Sequence, residues 1–445
     1  MCESALYIMA SNDDVYDLVV VGGGIVGLAI LRAATLEGWR CALIERESDL
    51  LSWASGSNSG IICTGVDATP GTLERALIRD SISRIRLFCA EMNVPNRPCG
   101  SLVCHWPWDM EDRLQKVLLE SHEAGDTHAC YLSADQVKRM EPNLNPDCLG
   151  AIHIPGEIVV DPWLFSIAFA SHARENGASI FTNFCFDAES SQYNDGVWTI
   201  CRVRESIDAT RNVPDKLKAK VLVNASGVWA DLIDRDICNE TKFTVRPRRG
   251  QYQIFSSNYQ TTITHPIQPI PTQRTKGVFV FSSLYDQVIV GPTALDQDSR
   301  TDRSIDREVA NELAKNGKRI LRELDLSNDQ IGEYAGIRPG TDRRDYQISF
   351  DYSRRWISAA GIRSTGLTAS LGIGHHVARL LQSVLPEPTV LSESMETTPL
   401  PPVPLLVEEF HNRSDGSVHI GGHDYKVTHP ITRFGWEART GLAST

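Results

Sequence analysis

Residues 17 to 45 change their apolar spacing twice. "DLVVV" is a continuous apolar run, the pattern of a strand buried on both faces of a parallel sheet. "GIVGLAILRAATLE" repeats its apolar residues at helical intervals, and Gly38 follows as a C′ residue. "CALIE" is a second short apolar strand. The order strand, turn, helix, strand predicts a βαβ unit. Residues 72 to 92 predict an amphipathic helix with Leu73, Ala76, Leu77, Ile85, Phe88 and Met92 as its stripe. "SADQ" around Ser133 is a capping box for a short helix. Asp161 as N-cap and Pro162 at N1 open another helix that closes on Gly177. "ASIFTNF" and "GVWTICRV" read as strands after it.

Between 246 and 293 the pattern alternates. "RPRRGQYQIF" and "GVFVFSSLYDQVIVGPT" predict antiparallel strands. From 334 to 385 strands and a long helix return, with a turn at "SRR" and a Gly-rich turn before "TASLGIGHHVARLLQSV". Six prolines and several acids mark 386 to 404 as a linker. The last forty residues have weak strand character, consistent with a hairpin packed back on the body or with partial disorder. The fold class expected is α/β: a Rossmann-type nucleotide domain (16–90, 150–242 and 331–385) interrupted by a mostly antiparallel α+β domain (91–149 and 243–330), with 386–445 as linker and tail.

Composition narrows the class. The net charge is −12 with no long basic run, which argues against nucleic acid as a partner. The eleven cysteines occur singly and stop at Cys238, so neither a disulfide framework nor a C-terminal metal or iron–sulfur module is expected. No His, Cys and carboxylate set has metal-ligand spacing. The longest uncharged apolar stretch, residues 18 to 31, is too short for a transmembrane segment. The acidic N-terminus lacks transit-peptide character, so a reducing, cytoplasmic setting is expected, with a mitochondrial one left open.

The chemistry begins at "GGGIVG". Gly22 permits a tight turn, Gly24 lets a pyrophosphate approach the backbone, and Gly27 lets helix pack on strand. Glu45 ends the second strand 23 positions after Gly22, where an acid binds ribose hydroxyls. Strand, glycines, helix and terminal acid together predict a dinucleotide site with phosphates at the helix N-terminus.

This motif, with "SGSNSGIICTG", "VNASGVWAD" and "GIRSTGLTAS", resembles the D-amino-acid-oxidase-like superfamily of FAD-dependent oxidoreductases from about residue 16 to 385. "PNRPCGSLV", "LSADQVKRMEPNL", "PRRGQY", "PTQRTKGV" and "GPTALDQD" are most similar to the flavin-dependent glycerol-3-phosphate dehydrogenase/oxidase branch, and L-2-hydroxyglutarate dehydrogenases share several of them. The resemblance implies FAD as cofactor and hydride transfer to flavin N5 from the secondary alcohol of a small anionic substrate. It places Arg46 beside Glu45 at the nucleotide. Ser55, Asn58, Ser59 and Gly60 fall on a loop along the flavin, and Gly227 on a second close approach of backbone. Gly361, Ser364, Thr365, Gly366, Leu367 and Thr368 fall at a helix N-terminus aimed at the flavin. Arg338 and Arg363 become candidates for holding the substrate anion, because a guanidinium donates bidentately to carboxylate or phosphate. Lys276 is a further candidate near the substrate. Arg249 and Tyr252 fall on a strand that roofs the flavin, with at most one of Arg248 and Arg249 pointing inward. The electron acceptor is left open among oxygen, a quinone and a carrier protein.

Cys63 departs from the resemblance. The resembled families carry histidine there, suited to take the hydroxyl proton near neutral pH. A thiol is neutral unless activated, and a thiolate would repel an anionic substrate. Three readings stay open: the base lies elsewhere, with His265 a weak candidate; the substrate is an amine or amino acid; or the chain binds flavin with little turnover.

Overall fold

The computed structural model describes residues 15–109, 113–203, 213–271, 277–385, 387–388 and 396–439. Two large sheets organise them. The first has eight strands around a parallel centre. Val15–Val21 lies between Cys41–Ile44 and Lys216–Asn224, parallel to both. Ser179–Phe181 extends the parallel run beyond Cys41–Ile44. The half of Lys216–Asn224 nearest its C-terminal end pairs in parallel with Trp356–Ala360, and the other half pairs antiparallel with Val197–Arg202. The C-terminal halves of the central strands are buried, which accounts for the apolar runs at 18–21, Cys41–Ile44 and 221–223.

The second sheet has nine strands and is antiparallel except where Ile267–Pro269 runs parallel to Ser101–His105. Its axis is the long pair Val245–Ser256 and Gln330–Thr341. The return to the first sheet was expected at 331. It comes at Gln347–Asp351 and Trp356–Ala360, because Gln330–Thr341 is matched along its length to Val245–Ser256. The α/β class with an antiparallel partner sheet is the architecture observed.

Helices Ile25–Leu36, Leu73–Glu91, Pro162–Glu175 and Gly366–Gln382 contribute to the largest apolar core, over the first sheet. Asp161 accepts from Leu164 N–H at 2.6 Å as N-cap, and Ser133 and Gln136 close the expected capping box. The buried stripe of Leu73–Glu91 is wider than the expected one on one side. Ala76 is exposed, whereas Ile78 and Glu74 are buried. The helix turns Glu74 inward because its carboxylate has partners there; apolar periodicity placed Leu77, Ile85, Phe88 and Met92 correctly, misplaced Ala76, and missed Ile78 and Glu74.

The largest correction concerns the C-terminal residues, where a linker and either a packed hairpin or partial disorder were expected but no helix. Val403–Asn412 and Pro430–Glu437 are helices, and between them Ser417–Ile420 and His423–Lys426 form a hairpin. Pro404 and Pro430 sit in first turns, where a missing N–H costs nothing. Pro404, read as a linker residue, lies in the first turn of a helix. Trp436 is fully buried against Trp163 and Phe410. Among the described residues no helix is long and apolar enough to cross a membrane, and no cluster of His, Cys, Asp and Glu could hold a metal.

Candidate active site

A cavity of about 1540 Å³ lies where the two sheets meet. The parallel strands deliver their C-terminal ends to it, the usual position of a ligand in an open α/β sheet. Gly22 and Gly24 line it, and Ile25–Leu36 starts there. Gly27 does not line it. A Cβ at Gly27 would stand 2.0 Å from Gly22 O, so its bare backbone closes the turn that shapes the cavity. Neither Gly24 nor Thr365, the N-cap residues of Ile25–Leu36 and Gly366–Gln382, caps its helix with its own side chain, and Gly366 and Leu367 line the cavity. Two helix ends thus offer amide donors and positive dipole ends to one space.

Glu45 is buried and lines the cavity. Its Oε2 accepts from Gly23 N–H at 2.6 Å and its Oε1 from Glu47 N–H at 2.9 Å. Burial raises its pKa, so further hydroxyl donors, as a ribose supplies, would stabilise its charge. The Arg46 guanidinium lies 3.5 Å from the Trp229 ring centroid and 4.8 Å from that of Trp53, both on the wall. Gly227 lines the same wall with φ +60°. Ser55 Oγ accepts from Ile25 N–H at 3.0 Å. Asn58 donates to Ser55 O at 2.7 Å and accepts from Gly60 N–H at 2.8 Å. Ser55, Asn58 and Ser59 face the cavity, and Gly60 packs behind them against Val160. Open helix ends, a buried acid ending a strand and a loop of small polar residues are the donor and acceptor set that FAD requires, and these residues fit it.

At the other end, Gly361, Arg363 and Ser364 line the wall, whereas Thr365 and Thr368 are buried behind it. Thr365 Oγ1 donates to Glu74 Oε1 at 2.7 Å and shares a 2.6 Å hydrogen bond with Tyr346. Thr368 Oγ1 accepts from Cys63 N–H at 3.1 Å and lies 3.5 Å from its Sγ. Cys63 is half-buried on the wall.

The two arginine candidates differ in state. Arg363 is ion-paired with Glu74 at 3.2 Å and donates to Arg344 O at 2.8 Å. Arg338 donates to Thr293 O at 3.0 Å and makes no ion pair among the described residues. Its guanidinium rests over Gly250, where a Cβ would come within 2.6 Å of it. Arg338 therefore presents an uncompensated cation to the cavity. Tyr252 lines the cavity and stacks on Tyr334, centroids 4.6 Å apart. Arg248 shares its strand face, as the two-residue period requires, and it lines the wall. Arg249 points away, to Asp302 and Ser304, which corrects its expected place over the flavin.

His265 does not reach the cavity. It is buried in the second sheet's layer with Nδ1 2.6 Å from Glu141 Oε1. No histidine lines the cavity among the described residues. Lys276 lies outside the described residues. The sequence reading missed Glu74, Trp53 and Trp229. The aromatic pair flanking "SGSNSG" and "SG" had a usable signal in its position beside two recognised loops, but Glu74 had none, since an acid in a first helical turn is ordinary.

Comparison with known proteins gives one direction. The profile of the family described as "DAO: FAD dependent oxidoreductase" matches residues 17–380. A glycerol 3-phosphate dehydrogenase of Caloramator mitchellensis is 30% identical over 371 residues, which span 83% of this chain and 74% of that protein. An L-2-hydroxyglutarate dehydrogenase of Escherichia coli K12 is 26% identical over 414 residues, 83% of this chain and 94% of that one. Among solved structures, dithionite-reduced L-alpha-glycerophosphate oxidase from Mycoplasma pneumoniae with FAD bound matches with a TM-score of 0.75 and 26% identity, covering 83% of this chain and 95% of that one.

Proposed function

Because the chain belongs to the DAO family of FAD-dependent oxidoreductases, we propose that it oxidises the secondary alcohol of a small anionic substrate, glycerol 3-phosphate first and L-2-hydroxyglutarate second. The observation that carries this reading is Arg338, a guanidinium on the cavity wall with no carboxylate partner among the described residues. A phosphate or carboxylate is the partner it lacks, and its planar fork fits either.

When bound, FAD supplies the acceptor for hydride from the substrate carbon. The chain's own residues do the rest. Arg338 holds the anionic group and so fixes which carbon faces the cofactor. Arg363, tied to Glu74, contributes positive potential more than a direct bond. Ser364, Gly366 and Leu367, at the start of Gly366–Gln382, bring a helix dipole that favours negative charge on that side of the cavity. Tyr252 lines the site and Tyr334 backs it, an aromatic stack that keeps water from that side.

The proton of the substrate hydroxyl has no histidine to receive it at position 63. Restoring one with Cys63→His is expected to raise kcat by about tenfold, the lower range of general-base effects. An unchanged or lower kcat across pH 6 to 9 would show that position 63 does not limit turnover. The reading as a whole is tested by mixing the yellow holoprotein, without oxygen, with a substrate panel. Loss of the oxidised flavin absorbance with glycerol 3-phosphate or L-2-hydroxyglutarate supports it. Loss only with amino acids assigns the chain to amine oxidation, and loss with none assigns it a binding role.

A further inference from the structure

Residues 396–439 lie beyond the part of the chain that the family profile matches. None of them lines the cavity, but they pack directly behind its wall. Helix Pro430–Glu437 is wedged between the layers of the two sheets. Thr432 Oγ1 lies 3.1 Å from each oxygen of Asp161, the N-cap of Pro162–Glu175, and Asp161 also accepts from Tyr285 of the second sheet's layer. Phe434 covers Gly332 on the strand that carries Tyr334 and Arg338.

The N-cap of this helix is His429, which is fully buried. Its Nδ1 accepts from Ile431 N–H at 3.2 Å, so the ring proton sits on Nε2. Nε2 makes no hydrogen bond, and the backbone carbonyl of Asn58 lies near the ring. The same carbonyl accepts from Tyr334 O–H at 3.0 Å. The His429 ring stands edge-on to Tyr334, centroids 5.9 Å apart, and Tyr334 is the ring stacked on Tyr252. Asn58 in turn holds Ser55, which caps the first amide of Ile25–Leu36. An unbroken path of contacts thus runs from the C-terminal helix to both the roof and the phosphate end of the cavity. A buried polar atom left short of a partner in a well-packed core is costly, and it is retained here beside the loop that the cofactor must touch.

We propose that His429 is a positioning residue of the FAD site: it sets the Asn58–Tyr334 pair and, through it, the loop 54–60. The C-terminal segment is then part of the cofactor site rather than an appendage, and the proposal rests on this cavity being where FAD binds. Burial pushes the pKa of His429 down to about 3, so the ring stays neutral through the assay range and the effect is independent of pH there.

The test uses the full chain with His429→Asn. Asparagine is itself a good N-cap, so the helix keeps its start while the ring is lost. FAD titrated into the apoprotein is expected to bind about fivefold more weakly, the size of one modest polar contact. The visible circular dichroism of the bound flavin is expected to change, and the space left by the ring to lower the melting temperature of the apoprotein by a few degrees. Tyr334→Phe, which removes the bond to Asn58, is expected to weaken FAD by a similar factor. The double variant should be no weaker than the weaker single one, since both act through one carbonyl. Unchanged affinity in both single variants, or a double effect that is the product of the two, overturns the proposal. A parent protein that binds no FAD at all overturns the reading of the cavity itself, which the titration of the parent shows separately.

Discussion

Arg338→Ala is expected to lower kcat/KM for glycerol 3-phosphate by about a thousandfold, the loss of two charge-assisted hydrogen bonds worth about 4 kcal/mol together. Arg338 holds no carboxylate among the described residues, so its removal strips the Thr293 carbonyl of a donor but leaves no charge unpaired. Flavin content and thermal stability are therefore expected to stay near those of the parent. Arg338→Lys should recover only part of the loss, because an ammonium is a point charge that cannot donate as a planar fork. Arg363→Ala makes the contrast. Its partner Glu74 is buried, and stripping the arginine leaves that carboxylate without its counter-ion. The expected result there is a loss of stability alongside the loss of activity. Steady-state kinetics with thermal melts on both variants separates the roles. A change of less than about threefold for Arg338→Ala would remove it from the substrate site, since even one neutral hydrogen bond is worth about that much.

Gly27→Ala is expected to yield protein without flavin and to destabilise the fold by about 3 kcal/mol, in the upper range for overpacking. The added Cβ would lie 2.0 Å from Gly22 O, and that neighbour is backbone, not a side chain that can swing away. Gly22 cannot retreat either. It sits at φ +112° with the carbonyl of Ala225 behind it, 2.6 Å from where a Cβ would be. The turn that presents amides to a pyrophosphate must deform. The ratio of flavin to protein absorbance, read with the melting temperature, checks this. Full flavin loading and an unchanged melting temperature would contradict the close packing of helix on turn.

The nucleotide half was legible because its physics is local. Gly22, Gly24, Gly27 and Glu45 act within one βαβ unit, and strand, turn and helix are written in consecutive residues. The loop at Ser55, Asn58 and Ser59 was placed by the family resemblance, and all three face the cavity. What escaped depends on contacts between distant residues. Glu74 turns inward because Thr365 and Arg363, nearly 300 positions later, receive it. His265 had the chemistry of a base, but Glu141 holds it in another layer. Arg249 was placed over the cavity and Arg248 left undecided, although Tyr252 fixes the choice by parity once the strand is known to be regular. The C-terminal helices escaped because each is short and opened by proline, and their stability comes from docking on Trp163, Tyr285 and Asp161 rather than from their own sequence.

The central claim is that this cavity removes hydride from the carbon bearing the hydroxyl of a small anion held by Arg338. The most direct measurement is rapid anaerobic mixing of the holoprotein with glycerol 3-phosphate carrying either hydrogen or deuterium at that carbon. The account predicts full loss of the oxidised flavin absorbance with both, slower with deuterium. Arg338→Ala should need far more substrate to reach the same rate. No loss of absorbance with glycerol 3-phosphate or with L-2-hydroxyglutarate, from protein shown to carry FAD, would contradict it.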